Sequence, residues 1–233
     1  MAREPVDRDL LDEQLAYYRA RAPEYDEWFL RTGRYDRGVQ ATRDWFAEVA
    51  EVERALDRFA PRGQVLELAA GTGWWTARLA RYAGALTAVD ASPETIERNR
   101  VRMKAMNLAL PTYVQADLFA WQPVVAYDAV FFGFWLSHVP EEHFAAFWQL
   151  VRNALAPGGR VFFVDSRRDP QSTAHDHVLD DGDVQWRRLN DGRRFRVVKR
   201  FYDPLELEET LRRLGWQAVV RTTARYFLIG EAS

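Results

Sequence analysis

The residues Val65-Leu66-Glu67-Leu68-Ala69-Ala70-Gly71-Thr72-Gly73-Trp74-Trp75-Thr76 carry the sharpest chemical signal in this 233-residue chain. An apolar run passes into small residues and then into a helical pattern. Backbone N–H groups at a helix start therefore face a ligand above the carboxyl end of a sheet, which is a nucleotide-type site. The series Gly71, Gly73, Thr76 departs from a dinucleotide fingerprint at its third position. Glu67, inside the strand just before the turn, would repel a pyrophosphate and suits a cation instead. A nicotinamide oxidoreductase is disfavoured on both counts. Asp90 closes Leu86-Thr87-Ala88-Val89, 17 residues after Gly73, where an acid can accept from both ribose hydroxyls.

Proton chemistry falls to four histidines, at positions 138, 143, 175 and 177. His138 lies in Phe134-Trp135-Leu136-Ser137-His138-Val139-Pro140, and an imidazole with its ordinary pKa near 6.5 serves as a base at neutral pH. His175-Asp176-His177 with Asp180, Asp181 and Asp183 has the donor types of a divalent-ion site. Its spacing fits no calcium loop, and a polar run ending in Asp-Gly is an exposed turn. No metal is expected there; a mobile flap over the substrate is.

The elements that must position these groups are legible in the apolar spacing. Helical periodicity runs over Asp9–Arg21, Pro23–Arg31 and Val39–Phe59, where Pro61-Arg62-Gly63 stops it. From Gln64 onward short apolar runs alternate with amphipathic stretches. Strands are predicted at Val65–Ala69, Ala85–Val89, Thr112–Gln115, Ala129–Gly133 and Arg160–Val164, with helices at Trp74–Tyr82, Pro93–Met106 and Glu141–Ala154 between them. This rhythm gives an α/β, doubly wound, Rossmann-like sheet of mostly parallel strands. Val184–Leu189 and Arg194–Phe201 flank Asn190-Asp191-Gly192 as an inserted hairpin. A last helix, Pro204–Leu214, precedes two short runs, Gln217–Arg221 and Arg225–Ile229, which three residues can join only as antiparallel strands, so that the last of seven strands runs against the rest. The expected division is a helical lid segment over residues 1–60, packed on a core over 61–233, with the insertion at about 166–202.

Composition excludes several classes. An apolar share of 48% and a charged share of 28% are those of an ordinary globule. No apolar run approaches the roughly 20 residues of a membrane helix, and the charged N-terminus offers no signal peptide, so a cytoplasmic location without membrane association is expected. The absence of cysteine removes disulfides, thiolate metal sites and a thiol nucleophile. A net charge of -2 argues against a nucleic-acid partner. Nine Trp, nine Tyr and fourteen Phe exceed what a core of this size needs, so some rings should line a site.

Taken together, these motifs resemble the class I S-adenosylmethionine (SAM)-dependent methyltransferases, over most of the chain from about Tyr17. The first family motif, roughly E/D-x-G-x-G-x-G, matches Glu67 to Gly73 with Ala69 in place of its first glycine. The resemblance implies that Asp90, followed by Ala91, takes the ribose. It implies that Asp117 accepts from the adenine amino group while Leu118 offers a backbone N–H, and it matches Tyr127–Gly133, including Phe132, to the fourth strand. Leu155-Ala156-Pro157-Gly158-Gly159-Arg160 resembles the turn into the fifth. The segment Tyr17–Asp26 resembles an A-x-x-Y-D element that lies before the core in small-molecule members. It implies Tyr25, with Tyr18 second, over the methionine end of the cofactor, where a ring meets a sulfonium by cation–π contact.

The function so implied is direct in-line transfer of a methyl group from SAM to a small acceptor, apolar or aromatic, at oxygen ahead of nitrogen or carbon, leaving S-adenosylhomocysteine (SAH). His138 is the expected base, and Tyr17, Trp135 and His138 the expected acceptor site. The alternatives are an RNA or protein methyltransferase and a SAM-binding protein without catalysis. Whether the chain is a monomer or a homodimer stays open.

Overall fold

The computed structural model describes residues 8–233. Three helices come first: α1 (Arg8–Arg21), α2 (Tyr25–Leu30) and α3 (Val39–Phe59). The alternating part follows as β1 (Gln64–Leu68), α4 (Trp74–Leu79), β2 (Ala85–Asp90), α5 (Pro93–Ala105), β3 (Thr112–Gln115), β4 (Tyr127–Gly133), α6 (Glu141–Ala154) and β5 (Leu155–Ser166). The chain ends in the hairpin β6 (Val184–Arg188) and β7 (Arg194–Val198), then α7 (Pro204–Arg213), β8 (Ala218–Thr222) and β9 (Phe227–Ala232).

Seven strands form one sheet in the order β3-β2-β1-β4-β5-β9-β8, with the β6-β7 hairpin apart from it. The pairs from β3 to β5 are parallel, and β9 runs antiparallel to both β5 and β8. The mostly parallel sheet with its reversed last strand and separate hairpin is the one expected from the sequence.

Strand alternation sends successive rings of β4 and β5 to opposite faces. Phe131 pairs with Phe162 and Phe132 with Phe163 in register, and each pair stacks, at 6.1 and 5.3 Å between ring centroids. The Phe132–Phe163 face is covered by α6 and α7 through Phe147, Trp148 and Leu211. Gly230 of β9 is required there, because a Cβ on it would lie 2.0 Å from the Phe163 ring.

The Phe131–Phe162 face is covered by α3, whose Trp45, Val49, Val52, Leu56 and Phe59 are all buried. Full burial of each such side chain contributes about 1.5–3 kcal/mol. The helix expected at the end of the lid is thus a layer of the core, and the part lying over the carboxyl ends of the strands comprises α1, α2 and the turn to Gly38. That roof is joined to the insertion. Tyr17 is buried against Leu189 and Val197, and Gln14 accepts from Val198 N–H at 2.9 Å and donates to His138 O at 3.2 Å.

Candidate active site

The first strand turn is shaped by backbone conformation. Ala69, Gly71 and Gly73 have φ values of 52°, 54° and 92°, in the left-handed region that favours glycine. A Cβ on Gly73 would come within 2.7 Å of the Asn99 side chain. Asn99 Nδ2 donates to Thr76 Oγ1 at 2.7 Å, and Thr76 Oγ1 donates to Glu67 Oε2 at 2.5 Å. Glu67 is sealed below the turn, and burial pushes its pKa up to about 8, against the Thr76 hydrogen bond and with help from Asp90. Asp90 accepts from Gly71 N–H, Ser92 N–H and the Thr95 hydroxyl at 2.8–2.9 Å, so the same carboxylate that ends β2 fixes the glycine turn of β1.

Above these turns lies an open cleft. Its floor includes Ala69, Gly71, Asp90, Ala91, Asp117 and Leu118, and Trp135 closes one end. Leu11, Leu15, Tyr18 and Tyr25 come down from the roof. Asp26, next to Tyr25, accepts from Thr72 Oγ1 and pairs with Arg102, both at 2.5 Å, which ties α2 to the glycine turn and to α5. Glu67 and Gly73 border a small adjoining space beneath Tyr25.

Phe132 takes no part. Its ring is buried among Phe147, Trp148 and Phe163, because strand alternation turns it into the core; Gly133 and Phe134 line the cleft instead. Phe134 has φ 57° while its N–H donates to Val164 O at 2.7 Å. This strained turn at the end of β4 raises the ring between two cavities.

The second cavity, about 660 Å³, shares Tyr18, Tyr25, Phe134 and His138 with the cleft. Arg21, Arg187 and Lys199 line it, and no Asp or Glu among the described residues does. Arg21 sits against the rings of Tyr17, Tyr25 and Tyr35, 4.9–6.0 Å from their centroids, and makes no ion pair among the described residues. Burial pushes the Tyr17 and Tyr25 hydroxyls up to about 12, against the pull of Arg21, so both stay neutral. The Arg187 guanidinium makes one long contact among the described residues, 3.5 Å to Trp186 O. Lys199 Nζ spends its three hydrogens on Ser166 Oγ (2.6 Å), Ser137 Oγ (2.7 Å) and Asp165 Oδ1 (3.5 Å). Burial lowers its pKa.

His138 stands where the cavities meet, yet it is a poor base. Nδ1 lies 2.6 Å from Val198 O, which can only accept, so this nitrogen carries the ring hydrogen. The Nε2 lone pair is then taken by the Tyr18 hydroxyl at 2.7 Å. Burial, followed by the charge of Lys199, holds the imidazole well below its ordinary 6.5 in spite of the Val198 bond. The expected base near neutrality is corrected to a neutral ring that fixes Tyr18.

Trp135 lines the cleft and not the polar cavity. Trp75 packs against Phe131. Arg34 and Arg37 hold the insertion: Arg34 pairs with Asp176 and bonds Asn190, and Arg37 donates to Pro170 O and Thr173 O. His175 and His177 form no metal group with the described acids. Sequence reading missed Arg21, Arg187 and Lys199. The signals were present in an arginine flanked by tyrosines and in Lys199, which with Lys104 makes up all the lysine of an arginine-rich chain.

Residues 65–159 match the family model described as "Methyltransferase domain". A solved structure titled "DhpI-SAM-HEP complex" is 39% identical, covers 98% of this chain and 100% of that one, and has a TM-score of 0.80; the "DhpI-SAH complex structure" gives 39%, 98%, 98% and 0.79. This chain belongs to the class I SAM-dependent methyltransferases. Among curated relatives, the ubiquinone biosynthesis O-methyltransferase of Xylella fastidiosa (strain 9a5c) is 35% identical over 101 residues, 42% of this chain and 40% of that one. The protein of that name from Xanthomonas campestris pv. campestris (strain B100) is 31% identical over 116 residues, 49% and 47%. The chain spans less than half the length of these two relatives.

The methyltransferase uses SAM, and the donor set suits it: an acidic, partly apolar cleft over glycine turns for a cationic nucleoside. No helix among the described residues is long and apolar enough to cross a membrane.

Proposed function

We propose that this methyltransferase transfers the methyl group of SAM to an oxygen of a small anionic acceptor, a carboxylate or a phosphorus oxyanion. The observation that carries the reading is a cavity with two guanidinium groups that have no carboxylate partner among the described residues, and a lysine, opening onto the cofactor cleft at Tyr18, Tyr25, Phe134 and His138. Guanidinium groups bind planar or tetrahedral oxyanions through paired donors. The curated relatives named O-methyltransferases support oxygen as the acceptor atom.

In this reading Asp90 and Ala91 hold the ribose side of the cofactor, Asp117 and Leu118 the adenine, and Glu67, Gly71, Gly73 and Tyr25 surround the methionine end. Bound SAM supplies a methyl group on a sulfonium, which departs as a neutral thioether. Arg21 and Arg187 draw in the oxyanion, and Tyr17 and Tyr25 position Arg21. Tyr18, fixed by His138, and Phe134 hold the acceptor at the mouth of the cleft. The nucleophilic oxygen arrives deprotonated, so no base is required, in keeping with the neutral, occupied imidazole of His138. Transfer is then a matter of alignment.

A screen with methyl-labelled SAM at pH 7.5 tests this. Label is expected in esters of small carboxylic, phosphoric or phosphonic acids and not in neutral phenols, alcohols or amines. Transfer confined to the neutral acceptors would overturn the reading.

A further inference from the structure

The insertion contributes one more polar group to the wall of the polar cavity. His177 is 9% exposed, and its Nε2 accepts from Arg188 N–H at 3.0 Å. Burial, then the charges of Arg187 and Arg34, lower its pKa to about 4. The ring is therefore neutral near pH 7, and with Nε2 as acceptor its hydrogen resides on Nδ1. That nitrogen is buried and has no partner. A buried donor left unpaired costs about 1–3 kcal/mol, and native proteins leave few. Its ring lines the same cavity as Arg21 and Arg187.

We propose that His177 is a specificity-determining residue whose Nδ1–H holds an oxygen of the anionic acceptor other than the one that receives the methyl group. This rests on the anionic-acceptor reading above. The group favours acceptors with two or more oxygens on the charged centre, or a further accepting oxygen beside it, and disfavours those that place a donor there. His177 belongs to the segment 170–177, which the roof holds through Trp28 Nε1 to Ser172 O and Arg37 to Thr173 O, so the contact forms where roof and insertion meet.

The test is calorimetric titration of inorganic phosphate, and separately acetate, into SAH-saturated protein, with His177→Gln and His177→Asn beside the wild type. Glutamine keeps an acceptor for Arg188 N–H and loses the Nδ1 donor; asparagine keeps a donor near Nδ1 and loses the Arg188 bond. Phosphate affinity is expected to fall about tenfold or more in His177→Gln and to stay closer to wild type in His177→Asn, with SAH affinity unchanged in both. In the wild type labelled with 15N-histidine, the Nδ1 resonance of His177 is expected to move on phosphate addition. Wild-type phosphate affinity in His177→Gln, or an unmoved resonance while phosphate binds, overturns the proposal. Wild-type protein that binds neither anion overturns the anionic-acceptor reading itself.

Discussion

The cofactor cleft and the polar cavity share four residues and are built in opposite ways. The cleft is acidic and local: Asp90 reaches Gly71 across 19 residues, and Thr76 reaches Glu67 across nine. The cavity is basic and assembled from afar, with Arg21 from α1 and Arg187 and Lys199 from the insertion meeting over the strand ends. On the proposed reading, a cationic cofactor beside an anionic acceptor needs this opposition of charge, and each site repels the other's ligand. Recognition of the shared cofactor thus sits in short motifs, and recognition of the acceptor in contacts between distant segments.

The largest expected effect removes the cavity's charge. Arg21→Met with Arg187→Met should lower kcat/KM for the anionic acceptor about a thousandfold, since a hydrogen bond to a charged group contributes about 1.5–3 kcal/mol. SAH affinity, read by calorimetry, should stay within about threefold. A parallel loss of both would mean that the two sites are one.

The second concerns the cleft's buried acid. Glu67 has a folded pKa of about 8 against an ordinary 4.5. The folded, ligand-free protein therefore binds more protons than the unfolded chain between those values. The group's contribution to stability is complete below about pH 4.5 and is lost as pH rises through 8. Glu67→Gln should remove that slope and raise stability at pH 9 by about 2–4 kcal/mol, measured by denaturant unfolding. An unchanged slope would place the carboxyl in a wetter setting than its burial implies.

The legibility of each region in the sequence follows the same division. Strand, helix, turn and acid in the cleft were readable because each depends on neighbours within one β-α unit. Phe132 was misassigned because a motif gives the strand and not which of its faces a given ring takes; alternation decided that. Which part of the helical segment covers the sheet and which the strand ends was not legible, because α3 has the same periodicity whether its apolar face covers a site or a sheet. Arg21 carried a signal in its flanking tyrosines, but its meeting with Arg187 was illegible because nothing in a linear pattern brings residue 21 to residue 187, and the neutral state of His138 follows from burial and from Val198, 60 residues away.

The smallest effect belongs to the cleft's one departure from its motif. Ala69 occupies φ 52°, where a Cβ costs about 1–2 kcal/mol. After the extra unfolded-state entropy of glycine is subtracted, Ala69→Gly should stabilise the protein by about 0.5–1 kcal/mol, a rise in melting temperature of about 1–4 °C. Acceptor KM should not move. A stability loss would show that the Ala69 methyl has a packing role that outweighs the strain.

The bond between Gln14 and Val198 closes a loop of 184 residues. Loops of that length close late, after the sheet has given the chain a template. During synthesis β1 to β5, the glycine turn, Glu67 and Asp90 emerge well before residue 198, so the floor of the cofactor cleft is made before the insertion's share of the polar cavity. On the proposed reading, the order of appearance on the ribosome puts the electrophile's half of the enzyme before the nucleophile's.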